Sequence, residues 1–246
     1  MTPRVSVVIP VANEESTIID TLDRIFESVT LPCEVLVVYD TPQDKTAAVL
    51  AQYSMTDARV KPTMNTHGRG PANAIRFGIE AAIADVVVVT MADGSDDPQQ
   101  IDALTRLVER GVVVAAASRY MPGGQQVGGP ALKGFLSRLA GTLLYYFCRI
   151  GTRDATNSFK AYSRQFIEAV KIDSRYGFEI GLELTSKAKR LRLPIAEVPT
   201  IWLDRQAGIS QFQLATWIPH YLRWFLFAFG PKLTSDSLRS RIARRN

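Results

Sequence analysis

Short β-branched runs alternate along the first half of this chain with segments whose apolar residues recur every three or four positions. Residues 5–9 predict a buried strand, and 15–26, with Ile18, Ile19, Leu22, Ile25 and Phe26 on one face, a helix. A strand at 35–39, a turn at Thr41-Pro42, a helix from about 44 to 53 and a short segment near Val60 follow. Gly68-Arg69-Gly70-Pro71 then leads into a helix over 72–84. A strand at 86–90, a helix over 101–110 and a strand at 112–117 complete this half. Alternation of this kind specifies an α/β fold, a mainly parallel sheet with helices on both faces.

The pattern changes after Pro122. Residues 122–130 are rich in Gly and Gln and predict a mobile loop, followed by aromatic-rich helices at 132–149 and 177–190. A short strand within 195–202 is expected to rejoin the sheet. No repeat or low-complexity linker is apparent, so one domain over 1–210 with a helical extension over 211–246 is the expected organisation.

Composition fits an ordinary globular chain: 246 residues, 22% charged and 46% hydrophobic. Cys33 and Cys148 lie in apolar surroundings without metal-ligand spacing and read as reduced core residues of a cytoplasmic protein. No signal-peptide pattern is seen, and no run approaches the roughly 20 apolar residues that span a bilayer. The net charge of +5 is concentrated in a tail holding Lys232, Arg239, Arg241, Arg244 and Arg245 against Asp236. Solvation, an anionic membrane and nucleic acid all suit such a tail, nucleic acid least because no recognition motif accompanies it.

Chemistry concentrates where the fourth predicted strand ends. Val86-Val87-Val88-Val89-Thr90 runs into Met91-Ala92-Asp93-Gly94-Ser95-Asp96-Asp97-Pro98. Open α/β sheets bind ligands at the carboxyl ends of their strands, and carboxylates there suit a hard divalent cation bridging a phosphate-bearing substrate. Capping of the next helix accounts for one of Asp96 and Asp97, but not for Asp93 at the strand end.

Several segments in order resemble family 2 glycosyltransferases with the Rossmann-like GT-A fold, most closely polyprenyl-phosphate sugar synthases of the dolichol-phosphate mannose synthase type. They are Val7-Val8-Ile9-Pro10-Val11-Ala12-Asn13-Glu14, Val37-Val38-Tyr39-Asp40-Thr41-Pro42-Gln43-Asp44, the Asp93 segment and Ser118-Arg119-Tyr120-Met121-Pro122-Gly123-Gly124. Asp154-Ala155-Thr156-Asn157-Ser158-Phe159-Lys160-Ala161-Tyr162, Gly177-Phe178-Glu179 and Asp204-Arg205 continue the series. The resemblance implies transfer of a sugar, with inversion, from a nucleotide-sugar donor to a polyprenyl phosphate, assisted by Mg²⁺ or Mn²⁺. It implies that Pro10, Ala12, Glu14 and Asp40 form the nucleotide pocket, Asp93 and Asp96 hold the metal, and Arg205 faces the donor diphosphate. Arg119, Lys133 and Ser137 would take the acceptor phosphate.

The residues also carry plainer readings. Asn13-Glu14 resembles a helix start, and isolated surface charges are usually solvated. Gly68-Arg69-Gly70 suits a simple turn as well as a diphosphate cradle in which Arg69 contacts the nucleotide. The family usually carries a carboxylate where this chain has Met91, leaving Asp93 to act with diphosphate oxygens and water. A hydroxyl acceptor on a soluble glycan or small molecule is an alternative and would need Glu179 or an acid near position 96 as base. A non-catalytic nucleotide-binding protein is another. Aromatic residues at 217–229 suit a membrane surface, giving peripheral attachment at the cytoplasmic face; packing on the core or on a second copy in a homo-oligomer suits them too.

Overall fold

The computed structural model describes residues 2–204 and 214–233. Its first half follows the sequence pattern closely: β1 Val5–Pro10, α1 Ile18–Ser28, β2 Cys33–Tyr39, α2 Lys45–Thr56, β3 Val60–Met64, α3 Pro71–Ala81, β4 Val86–Val89, α4 Gln100–Glu109 and β5 Val114–Ser118. The two halves of β1 show why the strands form. Val5, Val7 and Ile9 point into one apolar layer with α1 and α4 residues such as Leu22 and Leu104. Val8 points into the opposite layer with Ile75 and Ile79 of α3, so both faces are covered. Gly78 lets α3 sit directly on the sheet, because a Cβ there would overlap the side chains of Val8 and Val38.

The second half departs from expectation in three places. Residues 122–130 are not all loop: β6 Gln125–Val127 pairs in parallel with β9 Ile201–Leu203 in a separate small sheet. Three residues are too few to show a period, so sequence pattern misses such a strand. The helix expected over 132–149 is α5 Ala131–Leu143, which widens into a π turn at Leu144–Cys148 and ends at Arg149 in the left-handed region, φ 56°. The expected strand at 195–202 divides at Thr200 into β8 Ile195–Pro199, in the main sheet, and β9.

A further strand escaped the pattern. β7 Lys160–Ser163 lies between β4 and β5, antiparallel to both, in the seven-stranded order β3-β2-β1-β4-β7-β5-β8. Short α6 Arg164–Ala169 follows it, then α7 Ile180–Arg190 and α8 Leu214–Ala228. Trp224 and Ala228 of α8 pack with Leu182 of α7 and with Leu144, Cys148 and Ile150. Ile218, Leu222, Leu226 and Phe229 stay exposed along the other side. The core-packing reading of 217–229 therefore holds for one face only. The expected boundary between 210 and 211, Arg205 and the basic tail beyond Leu233 lie outside the described residues. Both cysteines are buried free thiols.

Candidate active site

A cleft of about 630 Å³ opens at the carboxyl ends of β1, β2, β4 and β5. Its polar half carries Pro10, Ala12, Glu14, Asp40, Asp93, Asp96 and Arg119, so residues far apart in sequence converge there. The other half is walled by Leu136, Leu139 and Leu143 of α5 and Ile218, Leu222 and Phe225 of α8.

The loop after β1 is held by the start of α2. Asn13 takes the left-handed region at φ 57°, and its N–H donates to both oxygens of Asp44, at 3.1 and 3.2 Å. Asp44 also accepts from the Thr46 N–H and so caps α2, while Thr46 Oγ1 accepts from the Glu14 N–H. Asn13-Glu14 is thus no helix start, for α1 begins only at Ile18. Asp40 organises the next wall. Its oxygens accept from Asn65 Nδ2 at 2.8 Å and from the Gly70 N–H at 2.7 Å. This pins a turn in which Gly68 and Gly70 have φ of 98° and 114°, conformations costly for other residues. Gly70 lines the cleft; Arg69 is exposed and outside its lining, so the structure does not bring it to the other nucleotide candidates.

The acids after β4 separate into distinct roles. Asp97 accepts from the Gln99 N–H at the entry to α4. Asp96 turns back, accepting from Thr90 Oγ1 at 2.9 Å and the Met91 N–H at 3.3 Å. Burial, with the nearby Asp93 charge, pushes its carboxyl up to about 7 against the pull of those donors. Asp93 is half-buried in the cleft wall, and one oxygen accepts from Ser95 Oγ at 2.6 Å. Arg24 secures the loop through the Gly94 carbonyl, and the Leu203 N–H ties β9 to the Ser95 carbonyl.

Arg119 stands where the polar and apolar halves meet. Its Nε and Nη2 donate to the two oxygens of Asp154 at 2.7 and 2.9 Å, and its backbone N–H to the same carboxylate at 3.0 Å. Asp154 is fully buried, and the Arg119 side chain is 11% exposed. Burial alone would lower the guanidinium; the Asp154 charge and hydrogen bonds outweigh it and raise it. Nη2 also donates to Ser137 Oγ at 3.1 Å, and Ser137 in turn shares a hydrogen bond with Thr156. Lys133, one turn before Ser137, lines the same cleft. Asp154 and Thr156 lay in a motif identified in the sequence, yet nothing in their spacing announced that they hold Arg119 and Ser137 respectively.

Lys160 is the other residue that sequence reasoning passed over. It is fully buried on β7, donating to the carbonyls of Ala155 (3.0 Å) and Asn157. Burial pushes its ammonium down to about 7, partly countered by Asp154. Glu179, the candidate base of the hydroxyl-acceptor alternative, is also buried, and its oxygens accept from the Tyr176 and Gly177 N–H groups. It is absent from the cleft lining, which removes that role.

Among the described residues no group of three or more His, Cys, Asp or Glu forms a ready-made metal cage. The donors present nevertheless fit Mg²⁺, or similarly Mn²⁺. Such hard ions keep several waters and bind through one or two carboxylates plus substrate phosphates, and Asp93 and Asp96 both line the cleft.

The chain is similar to several known proteins. At 29% identity over 217 residues the chain is similar to polyprenol monophosphomannose synthase of Mycolicibacterium smegmatis, covering 85% of this chain and 81% of that protein. Similarity to undecaprenyl-phosphate mannosyltransferase of Micrococcus luteus is 29% over 236 residues, covering 92% and 95%. Among solved structures, glucosyl-3-phosphoglycerate synthase from Mycobacterium tuberculosis, in complex with Mn²⁺, UDP and phosphoglyceric acid, superposes with a TM-score of 0.69. That match has 20% identity and covers 94% of this chain and 80% of that one, and it places the fold in the GT-A class. The model of glycosyl transferase family 2 matches residues 6–171, and by that match the chain belongs to this family.

Proposed function

We propose that this enzyme transfers a sugar, with inversion, from a nucleotide-sugar donor to a polyprenyl phosphate. The observation that carries the acceptor assignment is the divided cleft. Arg119, Lys133 and Ser137 lie beside an apolar wall of α5 and α8, a pairing that suits a phosphate with a hydrocarbon tail. The names of the two mannosyl-transferring relatives support it.

The polar half takes the donor. Backbone groups at Pro10 and Ala12 and the acids Glu14 and Asp40 receive base and ribose donors. Asp93 and Asp96 would hold the divalent ion, which would supply positive charge to neutralise the departing diphosphate. Arg205 serves the same diphosphate. An acceptor phosphate is anionic near neutral pH, so its oxygen attacks the anomeric carbon without a general base. One oxygen–carbon bond forms as the bond to the nucleoside diphosphate breaks on the opposite face, which inverts the centre. Arg119 and Lys133 balance the acceptor's charge and aim it. The exposed faces of α5 and α8 bring the cleft to the cytoplasmic membrane surface that supplies the lipid. Among the described residues no helix is long and apolar enough to cross a membrane.

The test is transfer from a panel of labelled nucleotide sugars into organic-extractable lipid, with Mg²⁺ or Mn²⁺ and with a chelator. Metal-dependent label in the lipid is expected, with turnover falling by roughly 10²-fold or more in Arg119→Ala and Lys133→Ala. Label appearing only in water-soluble product would refute the lipid acceptor.

A further inference from the structure

A second cavity, of about 590 Å³, lies away from the cleft, where the π turn, the end of α7 and the chain after α8 meet. Arg149, Lys189, Arg190, Arg192 and Lys232 line it, and among the described residues no acidic side chain does. Two of these cations have structural partners. Lys189 Nζ donates to the Ala228 carbonyl at 2.9 Å and Arg190 Nε to the Pro231 carbonyl at 2.8 Å, fixing the end of α8. Arg149, Arg192 and Lys232 are exposed and form no ion pair among the described residues. Arg149 and Arg192 both have φ of 56°, in the left-handed region. Three unneutralised cations around one concavity make a receptor for a multiply charged anion.

The surroundings identify the anion's source. Phe147 and Phe229, 75% and 45% exposed, immediately flank Cys148 and Gly230 of the cavity wall. From Phe229 the exposed stripe Leu226, Leu222, Ile218 runs back along α8 at spacings of three and four, and its far end lines the catalytic cleft. Exposed aromatic residues beside cations are the chemistry of the headgroup layer.

We propose that this cavity holds the phosphate headgroup of an anionic phospholipid. It anchors one end of the α8 stripe while the cleft opens at the other end. The proposal rests on the membrane-surface reading above but adds a discrete headgroup site to it.

The experiment compares wild type with a chain carrying Arg149→Gln, Arg192→Gln and Lys232→Gln together. Lys189, Arg190 and the tail arginines are kept, so any difference reports the cavity. Co-sedimentation with vesicles of phosphatidylcholine alone, or mixed with phosphatidylglycerol, is the readout. Wild type is expected to prefer the anionic vesicles, and the triple variant to bind them roughly a hundredfold more weakly, about fivefold per charge. Thermal stability and transfer in detergent micelles should be unchanged. Equal binding by the two proteins, or no preference in the wild type, overturns the proposal. Free inorganic phosphate stabilising only the wild type, with vesicle binding alike, reassigns the cavity to a soluble anion and overturns the lipid. Label transfer to polyprenyl phosphate in detergent tests the underlying reading separately, so transfer without vesicle discrimination sinks the headgroup site alone.

Discussion

Asp154→Asn tests whether the divided cleft depends on one buried ion pair. The substitution keeps the shape of the side chain and removes its charge. Asp154 is fully buried and accepts three N–H groups of Arg119, whose side chain is 11% exposed, so the guanidinium is left beside a neutral amide with little water to replace the lost partner. Breaking such a pair from one side costs about 3–5 kcal/mol. That is a large part of the roughly 5–15 kcal/mol that holds a domain folded. For a chain of this size it lowers Tm by on the order of 10 °C. Urea unfolding and a thermal scan measure it. Arg119→Met added to Asp154→Asn removes the stranded charge, so the double variant should be more stable than the two single losses predict, by about 0.5–3 kcal/mol. Under the proposed reaction, Asp154→Asn also raises the KM for polyprenyl phosphate far more than that for the donor. A stability loss within about 0.5 kcal/mol, ordinary for a surface change, or strict additivity in the double variant, refutes the reasoning.

Met91→Asp adds a further carboxylate to Asp93 and Asp96, so titration calorimetry without nucleotide should show Mn²⁺ binding roughly tenfold tighter than in the wild type; unchanged affinity would mean that position 91 does not face the ion. Lys160 provides a pH signature. Its ammonium titrates near about 7 in the fold and near about 10.4 in the unfolded chain. Between those values the unfolded state binds the extra proton, so stability rises with pH, by up to about 1.4 kcal/mol per unit. Below that window both states are charged and the slope vanishes. Lys160→Met should abolish the rise, measured as the urea midpoint from neutral to alkaline pH; an unaltered slope would assign it to other groups.

What the sequence revealed follows from how each element is stabilised. β1 and β4 are buried on both faces, so continuous runs such as Val86–Val89 announced them. β7 is as short as β4 and nearly as buried, but it begins with Lys160, whose charge is met by carbonyls of the preceding loop. No period or hydropathy rule finds such a strand. The candidate site divided in the same way. Asp93 was found by its position after a strand, whereas Asp40 and Arg119, which also follow strand ends, came from the family resemblance. Asp154 works through Arg119 and Thr156 through Ser137, tertiary contacts that appear only when β7 is folded between β4 and β5. Around Arg69 the Gly-rich turn is real, its backbone is held by Asp40 and Asn65, and Gly70 lines the cleft there.

Helix α5 explains why the cleft's two halves meet where they do. Lys133, Ser137 and Ala140 recur at spacings of four and three and all line the cleft, while Leu132, Phe135 and Leu139 form an exposed stripe on the neighbouring side. A helix with a charged edge directly beside an apolar one is stable only at a boundary between water and something apolar. Gly141 fixes its depth, since a Cβ there would collide with the Arg153 carbonyl just before Asp154. The chain that buries the Arg119–Asp154 pair therefore also sets how far α5 stands from it. Under the proposed reaction, the tail of a phosphate at Lys133 and Ser137 runs along Leu136 and Leu139, toward the side of the molecule where α8 exposes Ile218 and Leu222. A tail taking that path stays on apolar surface, whereas the opposite direction leads to Asp93 and the donor. The acceptor's orientation is thus set by the pattern of a single helix, before any contact to the sugar is made.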